Sequence, residues 1–439
     1  MLKRIFSAFL CICLIFAPVL TVNAYEPSGI EITANAAMLV SLDTDEVLYE
    51  KNADKKVYPA SITKIMTTLL ILESDKYDPD AKIAMTEEAL DLISGTGSSV
   101  SLLKAGEEIT QLDLVYMVLM SSYGDCSLLA AAYYGGSVEN FVTMMNTRAT
   151  ELGLTGTHYE NPIGLHHEEN YTTARDTYIL TKLALENETF KEVCESTRHT
   201  VKTSMSDERV LSTTNFLQDN TTNYYYTYAK GVKTGYTDEA GRCLVSTASY
   251  NGYNYICLVF GCPPNEKNHF TESKELYRWA FNNFEFKKVA DTSNPVAEID
   301  VDLSLDTDFV SLYVEKSFIS ILPKDADDST ISIVPKPTND TVDAPIKKGQ
   351  ILGTADIIYA EQVIGTVNLV SNENIEKSTM LTVLRAIKQF FSSSYMKVFY
   401  ALVALIIVIF IISVIKLNSK KSRKRKIKYV PYDKDKKSR

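Results

Sequence analysis

The chain has 439 residues, of which 45% are hydrophobic and 23% are charged, and its formal net charge is −10. These proportions are those of an ordinary globular protein, and the length is sufficient for two or three domains. Both ends of the chain are basic, so the long segment between them is more acidic than the net charge suggests. Because nucleic-acid binding depends on Lys and Arg against phosphate, we expect no nucleic-acid partner.

The first 24 residues predict a signal peptide. Lys3 and Arg4 precede an apolar run over residues 5–20, and a Val-Asn-Ala tripeptide ends at Ala24. A basic start, an apolar run and a small residue at the cleavage position are typical of an exported protein. An uncleaved anchor helix is the alternative, although Pro18 interrupts the run.

Residues 25–286 predict an α+β domain with an antiparallel sheet and a helical cluster. Two short strands around a turn are expected within residues 32–50, and Pro59 is well placed to start a helix. Asn251-Gly252 is a turn signal between two further strands. The remaining predicted elements are helices over 111–134, 138–152, 174–186 and 272–284, and the strands over 241–249 and 254–260.

Residues 287–375 change in character. Short β-like runs alternate with Asp, Asn, Pro and Gly, and no helical period appears. This pattern predicts a separate small all-β domain, for which a sandwich is one arrangement. Residues 376–397 then form a juxtamembrane segment, within which 379–391 predicts an amphipathic helix suited to the bilayer surface.

Residues 398–415 predict one transmembrane helix. They contain no charged side chain, and at ~1.5 Å per residue they extend roughly 27 Å, about the thickness of the hydrocarbon core. The tail over residues 416–439 is strongly basic. The positive-inside rule then predicts a single-pass cell-membrane protein with residues 25–397 extracytoplasmic and the tail cytoplasmic.

Five cysteines remain after the signal peptide, an odd number without the spacing of zinc ligands. We expect them to be free and buried, with one disulfide among the last three as the alternative. The five histidines form no pattern with Cys or Glu that suggests a metal. The cysteines are Cys126, Cys194, Cys243, Cys257 and Cys262.

Ser61 and Lys64 form an S-x-x-K motif at the start of the first predicted helix. Positions i and i+3 share a helix face, so the lysine amine can reach the serine hydroxyl. A serine is a weak nucleophile until a base takes its proton, and a lysine can act as that base only when its pKa is lowered. Taken alone, however, the motif also fits a capped helix with a surface lysine.

Lys233, Thr234 and Gly235 form a K-T-G motif before a predicted strand. A Lys-Thr pair beside a glycine, which admits close backbone approach, suits the binding of a carboxylate. Taken alone, this motif also fits a simple turn.

Found in this order, the two motifs resemble those of penicillin-binding proteins and serine β-lactamases. The wider pattern is similar to the low-molecular-weight D-alanyl-D-alanine carboxypeptidases, and residues 286–375, notably 346–353, are similar to that family's C-terminal β domain. The resemblance implies a penicillin-binding transpeptidase fold. The other matching segments are 37–40, 58–67, 161–165, 172–176 and 233–241.

The middle motif departs from the family's Ser-x-Asn pattern. Ser122 and Asp125 keep their places, but Gly124 stands where the family has an asparagine whose amide helps to hold the substrate's peptide and the lysine. Loss of one positioned donor costs on the order of 3 kcal/mol of transition-state binding. A working enzyme with altered contacts, a slow enzyme and a catalytically weak wall-binding homologue are therefore the alternatives.

The resemblance implies a peptidoglycan stem peptide ending in D-Ala-D-Ala as substrate, β-lactams as covalent inhibitors, and no metal or organic cofactor. It implies catalytic roles for Ser61, Lys64 and Ser122. The implied substrate-binding residues are Lys233, Thr234, Gly235, Tyr236 and Gly124, with the backbone N–H groups of Ser61 and Tyr236 as the oxyanion hole. A β-lactamase is a further alternative, because Glu168 and Glu169 lie where such enzymes carry an added carboxylate base.

Overall fold

The computed structural model describes residues 29–205 and 208–423, with side chains described up to residue 418. The predicted signal peptide and most of the basic tail lie outside these residues.

A short 3-10 turn over Ala60–Thr63 precedes the first helix. The strands are β1 (Ala36–Ser41), β2 (Val47–Lys51), β3 (Lys82–Ala84), β4 (Glu108–Thr110), β5 (Arg198–Val201), β6 (Arg209–Ser212), β7 (Ala229–Thr237), β8 (Gly241–Tyr250), β9 (Tyr253–Cys262), β10 (Phe284–Ala290), β11 (Pro295–Asp302), β12 (Phe309–Val314), β13 (Phe318–Pro323), β14 (Ile331–Pro337), β15 (Thr341–Asp343), β16 (Ile351–Tyr359) and β17 (Gln362–Ser371). The helices are α1 (Lys64–Leu72), α2 (Glu87–Ile93), α3 (Gln111–Leu119), α4 (Gly124–Gly135), α5 (Val138–Glu151), α6 (Ala174–Ala184), α7 (Glu188–Glu195), α8 (Asn268–Asn283), α9 (Thr379–Ser392) and α10 (Ser394–Arg423).

A five-stranded antiparallel sheet, in the order β2-β1-β9-β8-β7, forms the centre of the first compact unit. Successive side chains of a strand point to opposite sides, and the continuous buried runs of β1, β8 and β9 show that these central strands are covered on both faces. Along β9, Ile256 and Leu258 pack against the helical cluster, whereas Cys257 and Val259 pack against α8 on the other face. The α+β class with an antiparallel sheet, predicted from the sequence, is confirmed.

The hairpin between β8 and β9 turns on two residues with positive φ, Asn251 at 51° and Gly252 at 86°. Such a pair forms the tight turn whose twist matches that of the flanking strands. The hairpin signal in the sequence is therefore confirmed.

The helix predicted over 111–134 is wrong in one respect, because the structure has two helices there, α3 and α4. The chain breaks helical geometry at Ser122, whose φ is +66°. The N–H of Gly124 donates to the carbonyl of Ser99 at 2.8 Å, outside either helix. A tertiary hydrogen bond thus determines where α4 begins.

Smaller differences occur at other helix ends. The helix predicted over 272–284 begins earlier, at Asn268, and Phe284 opens strand β10. The segment after Pro59 starts as a 3-10 turn before it becomes α-helical at Lys64. The turn at Asp327–Thr330 includes a second short 3-10 segment.

The second compact unit comprises residues 291–316, 333–356 and 366 onward. A six-stranded sheet runs in the order β14-β16-β17-β12-β11-β15. Every β-like run predicted after residue 287 coincides with a strand. Residues 317–332 and 357–365 belong to the first compact unit, so the domain boundary at 286/287 stays a prediction.

Helices α9 and α10 end the described chain. Within α10, Ser394–Asn418 is long and apolar enough to cross a membrane, judged by length and composition. Helix α9 carries exposed apolar side chains, among them Leu384, Ile387 and Phe391. The helix predicted over 379–391 is confirmed as a helix, and the five described cysteines are all free and buried, as expected.

Candidate active site

Ser61 lies in the 3-10 turn, directly before the first residue of α1. Its neighbours Ala60, Ile62 and Thr63 are buried, whereas Ser61 is partly exposed. The N–H of Ile62 donates to the carbonyl of Pro59 at 3.1 Å, which closes the turn. The serine is therefore held by buried residues on both sides while the residue itself stays partly exposed.

Lys64 is fully buried and its Nζ lies 3.0 Å from the Oγ of Ser61. The same amine donates to the carbonyl oxygen of Ile163 at 2.6 Å. Burial disfavours the charged amine and lowers the pKa of Lys64 to about 7, against the opposing effect of the Asp125 carboxylate. At neutral pH a large fraction of Lys64 is uncharged, so it can accept the proton of Ser61.

The turn at residues 161–165 aims the Ile163 carbonyl at Lys64. The Asn161 Oδ1 accepts hydrogen bonds from the N–H groups of Gly164 at 2.7 Å and Leu165 at 2.9 Å. The Thr67 hydroxyl, one turn along α1 from the lysine, donates to the Pro162 carbonyl at 2.7 Å. The sequence predicted this segment only as part of the family pattern, and its contact with Lys64 was missed.

Gly164 lies against the backbone of the nucleophile's turn. Its φ is +82°, and a Cβ built there would lie 1.8 Å from the Ala60 carbonyl oxygen and 3.0 Å from the N of Ser61. Only glycine fits this contact, because the position combines a left-handed backbone with no room for a side chain.

Ser122 lies in the break between α3 and α4, and it is nearly buried. Asp125, in the first turn of α4, accepts hydrogen bonds from the N–H of Ser101 at 2.9 Å and from its hydroxyl at 2.6 Å. Helix α4 packs against α1, the helix that begins at Lys64, and the charge of Asp125 acts on the pKa of Lys64. The structure thus brings the middle motif to the first one.

The K-T-G motif lies on β7, at the edge of the central sheet. A Cβ built on Gly235 would lie 3.0 Å from the Pro59 carbonyl oxygen and 3.2 Å from the N of Ser61. Lys233 is buried, and both its burial and the neighbouring charge of Lys64 lower its pKa well below the usual range. The third motif therefore lies against the nucleophile.

Two residues support β7 that the sequence did not single out. The Thr234 hydroxyl donates to the Thr214 hydroxyl at 2.6 Å, and the Asn215 side-chain amide donates to the Gly231 carbonyl at 2.6 Å. Both follow β6, and no spacing signal connects them with the K-T-G motif.

Tyr236 follows the motif and is 44% exposed. Its hydroxyl donates to Asp238 at 2.6 Å, and the Arg242 guanidinium lies over its ring at 5.0 Å. These two contacts hold the Tyr236 side chain near the C-terminal end of β7.

Glu168 and Glu169, the carboxylates weighed for a β-lactamase, are both exposed. Glu168 lines a cavity of about 360 Å³ with Tyr58, Tyr171 and Glu239. No hydrogen bond or ion pair joins either side chain to Ser61 or Lys64 among the described residues. Across 29–205 and 208–423, no cluster of His, Cys, Asp or Glu has the arrangement of a metal site.

Comparison with known proteins gives two family matches. The family described as D-alanyl-D-alanine carboxypeptidase matches residues 21–263, and the C-terminal domain of penicillin-binding protein 5 matches residues 284–377. The D-alanyl-D-alanine carboxypeptidase DacF of Bacillus subtilis is 32% identical over 356 residues, which cover 80% of this chain and 88% of that protein.

Two solved structures are also similar. Penicillin-binding protein 5 of Haemophilus influenzae superposes with a TM-score of 0.64 at 27% identity, covering 79% of this chain and 98% of the other. The DD-transpeptidase of Streptomyces K15 superposes with a TM-score of 0.54 at 28% identity, covering 57% of this chain and 98% of the other.

Proposed function

This chain belongs to the serine-type D-alanyl-D-alanine carboxypeptidases, a family of penicillin-binding proteins, and we propose that Ser61 is its nucleophile and Lys64 its general base. The enzyme acts in peptidoglycan remodelling, and its family implies a peptidoglycan peptide as substrate and the binding of β-lactams. The observation that carries the assignment of the nucleophile is the 3.0 Å distance between Lys64 Nζ and Ser61 Oγ.

The acylation step follows from this pair. The Ser61 oxygen attacks the carbonyl carbon of the penultimate D-alanine while the uncharged Lys64 amine accepts the hydroxyl proton. The C–N bond to the terminal D-alanine then breaks, and the leaving amine receives a proton through Ser122. Water hydrolyses the ester on Ser61, which releases the shortened peptide and restores the hydroxyl.

We assign the terminal carboxylate of the substrate to Lys233 and Thr234. In the free site Lys233 is buried beside Lys64, which disfavours its charge. An incoming carboxylate supplies the opposite charge and so favours protonation of Lys233. Gly235 contributes by letting β7 approach the backbone of Ser61.

The backbone N–H groups of Ser61 and Tyr236 are the proposed oxyanion hole. The proposal is supported by the close approach of the residue before Tyr236 to the nucleophile, since a Cβ built on Gly235 would lie 3.2 Å from the N of Ser61. Fixed donors directed at the developing oxyanion are usually a large part of the catalysis of acyl transfer.

We propose a working enzyme despite Gly124. Asp125 and Ser101 keep their hydrogen bonds, so the middle motif has lost one side chain but not its anchoring. Release of D-alanine from a D-Ala-D-Ala pentapeptide by the purified protein, abolished in Ser61→Ala, is the expected result. If the purified protein releases no D-alanine, the remaining alternative is that the chain is a catalytically weak, wall-binding homologue.

Mass spectrometry with a penicillin identifies the nucleophile independently. We expect an adduct on the peptide that contains Ser61, and no adduct there would contradict the scheme. The lifetime of the adduct tests the β-lactamase alternative, since a carboxypeptidase keeps its penicilloyl ester far longer than a β-lactamase does. The exposed positions of Glu168 and Glu169 favour a long lifetime.

The apolar C-terminal helix is consistent with a membrane anchor. We propose a single-pass protein whose catalytic domain (25–286) and β-rich domain (287–375) are extracytoplasmic and whose tail is cytoplasmic. The predicted export signal and the basic tail support this orientation. This orientation is tested by introducing a cysteine into the tail and labelling it in intact and in permeabilised cells. We expect labelling only after permeabilisation, and labelling in intact cells would show that the tail is extracytoplasmic.

A further inference from the structure

With glycine at position 124, this site lacks the side chain that holds the substrate's peptide in the family. The segment that follows α2 carries a hydroxyl group that could take its place. Residues 94–100 follow α2 and contain Ser98, which is half-buried. A Cβ built on Gly124 would lie 2.5 Å from the Oγ of Ser98 and 2.7 Å from the Cδ1 of Ile93. The space that a side chain at position 124 would fill is therefore occupied by Ser98 and Ile93.

The distance of the Ser98 hydroxyl from this Cβ position matches the reach of the missing amide. Two covalent bonds separate the Cβ of an asparagine from its amide oxygen and nitrogen, a distance of about 2.4 Å. The Ser98 Oγ lies 2.5 Å from the same Cβ position. A hydroxyl can donate to a carbonyl as the amide does, so the polar group is retained although it comes from another segment.

The Ser98 segment is held in place on both sides of the serine. The Ser98 N–H donates to the Thr96 hydroxyl at 3.3 Å, and the Ser99 carbonyl accepts from the N–H of Gly124 at 2.8 Å. Two residues later, Ser101 donates to Asp125 through its N–H and its hydroxyl. The Ser98 hydroxyl itself has no hydrogen-bond partner among the described residues, so it is available to a ligand.

We propose that Ser98 is a substrate-binding residue, whose hydroxyl donates to the carbonyl of the peptide amide that the family's asparagine holds. This inference rests on the proposed function of Ser61, since the amide concerned is the one next to the acyl group transferred to that serine. The same hydroxyl meets the acylamide side chain of a penicillin, which occupies the corresponding position in the inhibitor.

The test compares two inhibitors on the purified full chain in detergent. One is a penicillin with an acylamide side chain, and the other is the penam nucleus with a free amine, which lacks the carbonyl. We expect Ser98→Ala to lower the acylation rate constant of the first about tenfold, the effect of one hydrogen bond, and to leave that of the second within about twofold. Ser94→Ala, at an exposed serine of the same segment, should change neither rate.

A reciprocal exchange provides a second test. Gly124→Asn alone should slow acylation, because its Cβ meets Ser98 at 2.5 Å. Adding Ser98→Gly to that variant removes the closer contact and leaves only the Cδ1 of Ile93, the end of a flexible side chain that can rotate aside. We expect the preference for the acylamide penicillin to return in this double variant. Ser98→Gly alone should lose this preference.

The outcomes separate the inference from the proposed function. Equal loss with both inhibitors, or no loss with either, in Ser98→Ala overturns the role of Ser98 while acylation of Ser61 stands. A double variant that stays as unselective as Ser98→Gly also counts against it. No adduct on Ser61 in the unmodified chain with either inhibitor overturns the proposed function together with this inference.

Discussion

Lys64 is the residue whose environment most directly sets the rate. Burial lowers its pKa to about 7, and only the uncharged amine can accept the Ser61 proton. The acylation rate should therefore rise with pH through about 7 and level off above it, with roughly one tenth of the maximum one unit below the pKa. Second-order rate constants with a penicillin, measured from pH 5 to 9, check this.

The control for the pH profile is Lys64→Arg. A guanidinium stays protonated across this range, so acylation should fall by at least about 10²-fold, and no rise near neutrality should remain. In the unmodified enzyme, a rate that still rises steeply at pH 9 would show that Lys64 keeps an ordinary pKa, and a rate that does not change between pH 5 and 9 would show that Lys64 is not the base.

Gly164 sets the position of the nucleophile without touching its hydroxyl. In Gly164→Ala the new Cβ would lie 1.8 Å from the Ala60 carbonyl oxygen, so the turn and the Ser61 backbone must separate. We expect acylation to fall about 100-fold or more, the scale of a misplacement of about 1 Å at a reacting group. Rate constants for penicillin acylation measure the loss.

Gly153→Ala is the matched control for this change. Gly153 also has a left-handed backbone, with φ +71°, but no atom lies within 4 Å of a Cβ built there. Both substitutions introduce a similar backbone strain, of about 1 kcal/mol, and only one introduces a clash. Similar acylation rates in the two variants would contradict the role given to the Gly164 contact.

At the scale of elements, an ion pair joins β6 to the segment that precedes β4. The Glu107 side chain is fully buried, and the Arg209 guanidinium contacts its two oxygens at 2.9 and 3.2 Å. Burial alone would raise the pKa of Glu107, but hydrogen bonds from Thr203 and the Lys104 N–H, with the charge of Arg209, lower it instead. The carboxylate therefore depends on its partners.

Arg209→Met should destabilise the protein strongly. It leaves the Glu107 carboxylate buried without its cation, a change that costs about 3 kcal/mol. Arg148→Met is the control, because its partners Glu73 and Glu151 are 34% and 57% exposed, and such surface pairs contribute less than about 1 kcal/mol. Denaturant unfolding of the full chain in detergent measures both, and equal losses would refute the distinction.

The elements that the sequence predicted are those with a local cause. Asn251-Gly252 turns a hairpin whose strands are adjacent in the chain, and the Ser61–Lys64 pair follows from one helical turn. The break at Ser122 was missed because apolar runs precede and follow it, and the bond that fixes it comes from Ser99. A distant partner of this kind leaves no period in the sequence.

The same distinction applies to the site. The types of its functional side chains are visible in three short motifs, but their supports are mostly backbone groups from other segments. The Ile163 carbonyl that binds Lys64 lies 99 residues along the chain, and any residue type carries a carbonyl. Strands β3 to β6 escaped prediction for a related reason: each has only three or four residues, too few for a period to show.

At the scale of the whole molecule, the C-terminal part carries two membrane-directed features of different strength. Helix α10 is long enough to span a bilayer, and an apolar helix of this length inserts almost irreversibly. Helix α9 has an exposed apolar row that includes Leu384, Ile387 and Phe391, and a row of this kind supports only reversible binding at the bilayer surface. Truncation can separate the two.

We expect a chain ending at Ser393 to bind vesicles of neutral phospholipid reversibly, and a chain ending at Lys377 not to bind them. In the longer truncation, Leu384→Ser with Phe391→Ser should abolish binding, because it removes much of the apolar area of α9. The same two substitutions in the full chain should leave it membrane-bound, since α10 remains.

Cosedimentation with vesicles measures binding, and penicillin acylation of Ser61 verifies that each chain is folded. Release of the substituted full chain into the supernatant would show that α10 is no anchor. Membrane attachment would then depend on α9 alone.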